Sequence, residues 1–457
     1  MPSRAPAVER ALPPLTLLPV GDAGAREHVA AVRSAVESAD DDELLRILRL
    51  LDALDVDAQR VDAALTAASA SGRRERREAL AQLRAALEPA RNVVLRHLAA
   101  APGSLRLIVD LRAALLRLLD ARPDAAELAS LDRELRAFLA ARFEPAALEL
   151  RQLTWSDSAE LLERLARSEA VHAVRGWFDL KDRLDVDRRC FALFHPALPG
   201  APLVFVEVAL TEEMSGSIRS ILNRDAPRVD PGAARCAIFY SISSCERGLN
   251  AIPLGNALIK RAVERLRGEL PKLRTFATLS PIPGFGPWLR SLGDRVPADV
   301  QAALAAGGWH RDPARAAALR EPLLRLAARY LLEAKRGDGA PRDPVARFHL
   351  GNGATVERLD WLGDPSANGL AQSYGIMVNY RYALERIASN QLAYASEHRI
   401  DASPAVRVLA EADDVLRDAP RVSRVARFTA PLAAWRARLV RLARRARAPS
   451  PETKTAS

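Results

Sequence analysis

Through the first 150 positions, apolar residues recur every three or four places with charged residues between them, the period of amphipathic helices. Asp40 with Glu43 forms a capping pattern ahead of Leu44, Leu48, Leu51 and Leu54, one face of a helix. Val61, Leu65 and Ala68 fit a second, short helix. A third starts near Arg73, carries Leu80, Leu83 and Leu87, breaks at Pro89 and resumes to His97. Ser104 is placed to cap a helix bearing Leu107, Ile108, Leu111, Leu115 and Leu118. Pro123-Asp124 opens another with Leu128, Leu131, Leu135 and Phe138. The expected product is a helical bundle for packing or self-association, with no polar chemistry of its own.

Beyond residue 150 the pattern changes. Ser156–Arg167 and Val171–Arg183 still have helical spacing, but short β-rich runs follow at Cys190–Phe194, Leu203–Leu210, Cys236–Ser241 and Arg274–Ser280. Between the last two runs, Leu258, Ile259, Ala262, Val263 and Leu266 line one face of a helix over Pro253–Gly268. Strand, helix, strand in that order predicts two neighbouring parallel strands. Further helices are expected over Asp312–Lys335, Gly375–Ala388 and Ala405–Leu416.

Composition sharpens the boundary. The first 150 residues hold two aromatics, Phe138 and Phe143, and the remainder holds 21. We therefore expect a flexible segment at 1–24, a helical domain at 25–150, a mixed helix-and-sheet domain at 151–418 and an Arg-rich tail at 419–457. The 5% aromatic content of the 457 residues disfavours an all-β protein. Three cysteines, Cys190, Cys236 and Cys245, are too few for a disulfide scaffold. The net charge of +10 first suggests nucleic acid. Nine arginines lie between Arg421 and Arg447 with no acid among them, so the body of the chain is nearly neutral and no nucleic-acid partner is expected. No run is long and apolar enough to span a membrane, and prolines interrupt the apolar N-terminus, so a cytoplasmic protein is expected.

Familiar catalytic signatures are missing: there is no P-loop, no GxGxxG after a strand, no HExxH and no CxxC pair. The seven histidines lack metal-ligand spacing, so no metal site is expected. Two segments carry candidate chemistry. Arg247–Asn256 (RGLNAIPLGN) runs from a strand into a helix, and its glycines and unpaired amides suit an anion such as a pyrophosphate. In Leu279–Trp288 (LSPIPGFGPW), Ser280 sits at the carboxyl end of a strand, where open α/β sheets place ligands, and Ile282, Phe285 and Trp288 are candidates for a dry wall.

These segments belong to a longer series of ungapped blocks: 153–184, 188–218, FYSIS at 239–243, LGNALIKRAVERL at 254–266, LSPIPGF at 279–285, FHLGNGA at 348–354 and NYRYALE at 379–385. In that order they resemble the malonyl-CoA decarboxylase family from about residue 105 to 385. The resemblance implies an α+β protein, with a helical N-terminal domain joined to a catalytic domain of the acetyltransferase (GNAT) fold. It implies a homotetramer that converts malonyl-CoA to acetyl-CoA and CO2 with no metal or organic cofactor. It places the catalytic serine at Ser280 and the catalytic histidine at His349. The CoA-binding turn falls on Asn250, Ala251, Ile252, Pro253, Leu254, Gly255 and Asn256, and Tyr382 becomes a supporting polar group. Pro253 departs from the animal relatives and removes one N–H donor; the C-terminal PETKTAS is no peroxisomal signal, as expected of a bacterial-type cytoplasmic enzyme. The alternative on the same fold is an acyl-CoA N-acyltransferase.

Overall fold

The structure, a computed structural model, describes residues 5–72, 74–101 and 103–411; the arginine tail lies outside the described residues. Its N-terminal part is helical: α1 (Ala5–Leu17), α2 (Ala25–Glu37), α3 (Asp41–Ala53), α4 (Ala58–Ala70), α5 (Arg76–Ala86), α6 (Ala90–Ala100), α7 (Ser104–Ala121) and α8 (Ala129–Ala140). Asp40 caps α3 as its sequence predicts, its carboxylate accepting from the Glu43 amide at 2.9 Å. Pro89 separates α5 from α6. Two expectations change here. Residues 1–24 carry α1, whose Val8, Leu12 and Leu15 are buried, in place of a flexible segment. Ser104 does not cap α7; Gly103 precedes the helix at φ +71, and the buried Ser104 hydroxyl meets Arg33 instead.

The chain then builds one sheet from β1 (Glu149–Leu153), β2 (Arg188–Phe194), β3 (Val204–Thr211), β4 (Cys236–Ser244), β5 (Thr275–Thr278), β6 (Ser280–Pro281), β7 (Thr355–Asp360) and β8 (Met377–Arg381). The spatial order is β1-β2-β3-β4-β5-β8-β6, with β7 on β8. Around it lie α9 (Ala159–Ser168), α10 (Trp177–Asp182), α11 (Ile218–Leu222), α12 (Leu254–Glu269), α13 (Phe285–Ser291) and α14 (Ala298–Ala305). The last five helices among the described residues are α15 (Pro313–Glu333), α16 (Pro344–Gly351), α17 (Ala367–Ser373), α18 (Ile387–Glu397) and α19 (Pro404–Glu411). This is the mixed architecture that the hydrophobic pattern predicts, a helical region followed by a domain of helices around one sheet. Among the described residues, no helix is long and apolar enough to cross a membrane.

The predicted strand–helix–strand unit is present as β4–α12–β5, and β4 and β5 pair in parallel from Cys236 with Thr275 to Phe239 with Thr278. After that point the partners change. Ser280 pairs with Val378 of β8, while Ser241 to Ser244 of β4 continue alongside β3. The two parallel strands thus part at their carboxyl ends, the edge where open α/β sheets hold ligands.

Gly375–Ala388 is not a helix. Tyr374 (φ +53) and Gly375 (φ +80) end α17, and Met377 to Tyr380 then run fully buried as β8, with β7 and β6 bonded to it. Met377, Tyr380 and Leu384 of this segment also fall three and four places apart, which imitates a helical stripe. Helix α10 is also shorter than expected. The Glu169 carboxylate takes the amides of Val171 and His172, and Gly176 stands at φ +141, so 171–176 form a loop.

Candidate active site

Ser280 opens β6 at the point of parting, two residues beyond Thr278 at the end of β5. His349 comes from α16, and Tyr380 and Tyr382 come from β8 and its end. Each of the four is buried or nearly so, with Ser280 6% and His349 3% exposed. The Ser280 hydroxyl lies 3.2 Å from His349 Nε2 and donates to Thr278 Oγ1 at 2.8 Å. On the other side of the imidazole, Nδ1 lies 2.8 Å from the Tyr382 hydroxyl. Thr278 is held in turn by the Tyr380 amide, at 3.2 Å from its Oγ1. A serine, a histidine and a tyrosine thus form one chain of hydrogen bonds. Because Ser280 gives its proton to Thr278, the consistent assignment has Tyr382 donating to Nδ1 and Nε2–H facing the serine oxygen.

The strand assignment of β8 explains why two tyrosines meet one histidine. Residues two apart on an extended chain share a face, so Tyr380 and Tyr382 both point to α16. The Tyr380 ring stacks on the imidazole, centroids 4.6 Å apart and 25° from parallel, and Phe348 adds an edge contact at 5.0 Å. These rings, more than the expected Ile282 and Phe285, wall the histidine. Ile282 and Phe285 are fully buried, and Phe285 packs on Trp288, Tyr330 and Tyr374 as part of the core.

Two further residues fix the pair. Asp343, completely buried, caps α16 through the Val345 and Ala346 amides at 2.9 Å each. Its other oxygen accepts from the Gly284 amide at 3.2 Å, tying the turn after Ser280 to the helix that carries His349. Gly284 has to be glycine, since a Cβ there would lie 2.0 Å from the Tyr330 hydroxyl. Thr278 was legible in principle: it stands two places before Ser280 in a β-rich run. Asp343 gave no signal beyond the ordinary Asp-Pro start of a helix.

Burial without a nearby charge lowers the His349 pKa to about 3, so the resting imidazole is neutral. The same burial raises Tyr382 far above the usual phenol range, which keeps its proton in place as a donor. The low histidine value has a consequence for stability. An unfolded histidine binds a proton near its ordinary value of 6.5, whereas the folded one resists until about 3. Stability is complete above 6.5 and falls as pH drops through that window, by about 1.4 kcal/mol per pH unit for this one site. Urea unfolding at pH 7, 6 and 5 should therefore show wild type losing stability faster than His349→Asn. Parallel losses would contradict the buried neutral imidazole.

The expected anion turn lies beside this pair. The chain passes from β4 through a 3-10 turn at Arg247–Leu249 into Asn250–Asn256, with Pro253 preceding α12. No side chain caps α12, and the amides of Gly255 and Asn256 find no protein acceptor among the described residues. Those amides and the helix dipole favour an anion. A Cβ on Gly255 would come within 2.8 Å of the Phe348 ring, so the helix start packs directly on the neighbour of His349. Ser280, His349 and Tyr382 therefore meet through hydrogen bonds, and Gly255 of the expected turn packs on Phe348 beside them. A cavity of about 910 Å3 lined by Glu169, His172, Trp177, Arg219 and Asp364 includes neither Ser280 nor His349. No cluster of metal-ligating side chains occurs among the described residues.

Comparison with known proteins follows the same outline. Residues 146–420 match the family model of the malonyl-CoA decarboxylase C-terminal domain, and residues 54–143 match that of the N-terminal domain. The chain is 39% identical to the mitochondrial malonyl-CoA decarboxylase of Anser anser anser over 350 residues, 70% of this chain and 69% of that protein. Against the Rattus norvegicus enzyme it is 37% identical over 351 residues, 70% of this chain and 71% of the other. The crystal structure of malonyl-CoA decarboxylase from Agrobacterium vitis superposes with a TM-score of 0.81 at 37% identity, covering 89% of this chain and 100% of that one. For the Rhodopseudomonas palustris structure the TM-score is 0.80 at 37% identity, covering 88% and 99%.

Proposed function

The chain belongs to the malonyl-CoA decarboxylase family, and on that premise we propose that it converts malonyl-CoA to acetyl-CoA and CO2 with Ser280 and His349 as the reacting pair. The observation that carries the proposal is the buried Ser280–His349–Tyr382 chain of hydrogen bonds beside the uncapped start of α12.

The chemistry asks little of a cofactor. When the malonyl carboxylate leaves as CO2, the electron pair of the broken C–C bond delocalises onto the thioester carbonyl as an enolate. The substrate therefore supplies its own electron sink, and no metal or organic cofactor is required. The protein must hold CoA, dehydrate the carboxylate, stabilise the enolate oxygen and return one proton to carbon. The amides of the Asn250–Asn256 turn are suited to the CoA phosphates. Phe348 and Tyr380 exclude water around His349, which weakens solvation of a carboxylate brought there. Ser280 turns its hydroxyl from Thr278 to donate to the acyl group.

The reaction consumes one proton, and the resting imidazole is neutral. That proton is taken up once a negative charge, first the carboxylate and then the enolate, lies beside the imidazole and raises its pKa. The proton enters at Nδ1, whose bond with Tyr382 reverses so that the phenol oxygen accepts, and the imidazolium passes its Nε2 proton to the α-carbon.

Purified protein incubated with malonyl-CoA should release acetyl-CoA and CO2 in equal amounts. Free CoA appearing in step with an acylated amine, with no CO2, would overturn the proposal in favour of acyl transfer.

A further inference from the structure

We propose that Arg112, a residue of the N-terminal helical region, holds the CoA-binding turn in its working shape, so that the bundle sets the affinity for the substrate. The inference rests on the reading of Asn250–Asn256 as the CoA turn. Arg112 lies on α7 and is 1% exposed. Its Nη1 donates to the carbonyl oxygens of Gly248 at 2.7 Å and Asn250 at 2.9 Å, and its Nε donates to Asp132 of α8 at 2.8 Å. One buried guanidinium thus joins two helices of the bundle to the segment that leads into α12. Hydrogen bonds from a charged donor are stronger than neutral ones and fix direction as well as distance.

Direction is what matters for an anion site. In a trans peptide the C=O and the following N–H point opposite ways. With the Asn250 carbonyl turned to Arg112, the Ala251 amide must face away from it, and that amide has no protein acceptor among the described residues. Ala251 itself stands at φ +64, a conformation that alanine rarely adopts and that persists only where the surroundings impose it. The imposed contact is close: a Cβ on Gly248 would lie 2.0 Å from the Val109 carbonyl, so the turn rests on the α7 backbone. None of this is needed to pack a bundle. It leaves an unpaired amide three residues ahead of α12, on the turn that leads to the unpaired amides of Gly255 and Asn256.

The test compares Arg112→Lys, Arg112→Met and Asn256→Asp in the full chain, with malonyl-CoA as substrate and free CoA as competitive inhibitor. Lysine keeps the charge but is one bond shorter and lacks the Nε that bonds Asp132, so it loses the fixed fork; methionine removes the donors altogether. Both should raise the malonyl-CoA KM and the CoA inhibition constant, by about threefold and about tenfold respectively, with kcat within about twofold of wild type. Should the methionine variant not fold, the lysine variant alone decides. Asn256→Asp places a negative charge in the first turn of α12 and should raise both constants if phosphates bind there. An effect of Asn256→Asp with none of Arg112→Lys would overturn the role of Arg112 and leave the CoA turn standing. Unchanged constants in Asn256→Asp would overturn the CoA turn itself. A fall in kcat at constant KM in the Arg112 variants would also overturn the proposal, since it would mean a general loss of structure.

Discussion

Replacing His349 with asparagine should lower kcat for malonyl-CoA by about 10²- to 10⁴-fold, the usual worth of a positioned acid or base, with KM changed by no more than a few-fold. The asparagine amide can still meet the Tyr382 hydroxyl near the position of Nδ1, but nothing replaces Nε2, 3.2 Å from Ser280. The loss should therefore fall on the chemical step and spare substrate binding. Acetyl-CoA formation at saturating malonyl-CoA measures it directly. A variant within tenfold of wild type would remove His349 from the reaction and leave it a buried core histidine.

Ser280→Ala should cost about 10²- to 10³-fold in kcat, the range found when one preorganised donor to a developing anion is removed. It carries a second cost, because the hydroxyl bonds both Thr278 and His349. Without it two buried polar atoms lose a partner, for about 1–3 kcal/mol of stability. If serine and histidine act as a unit, the double variant Ser280→Ala/His349→Asn should be little slower than the worse single one. Fully multiplicative losses would mean that they serve separate steps.

How much of this the sequence shows depends on the kind of signal. Helices with one apolar stripe, such as α3 with its Asp40 cap, are plain in the periodicity, and so is the β4–α12–β5 unit. Ser280 was marked as a candidate by its place at the end of a strand, but His349 was visible only through its block, since nothing in spacing alone brings together residues 69 positions apart. Strand β8 was hidden because Met377, Tyr380 and Leu384 also fit the three- and four-residue spacing of a helix. That one misreading concealed the most about the site: read as a helix, the segment sends Tyr380 and Tyr382 in different directions, whereas the strand turns both to His349. The clamp of Arg112 on Gly248 and Asn250 spans the boundary between the helical region and the sheet domain, and no local pattern encodes a contact of that range.

The most direct measurement is the mass of the acetyl-CoA formed from malonyl-CoA by the purified protein in D2O. The account predicts acetyl-CoA with one deuterium added to its methyl carbon, released with one CO2, and formed far more slowly by His349→Asn. Malonate with free CoA as the products, or labelled acetyl-CoA formed equally fast by His349→Asn, would contradict it.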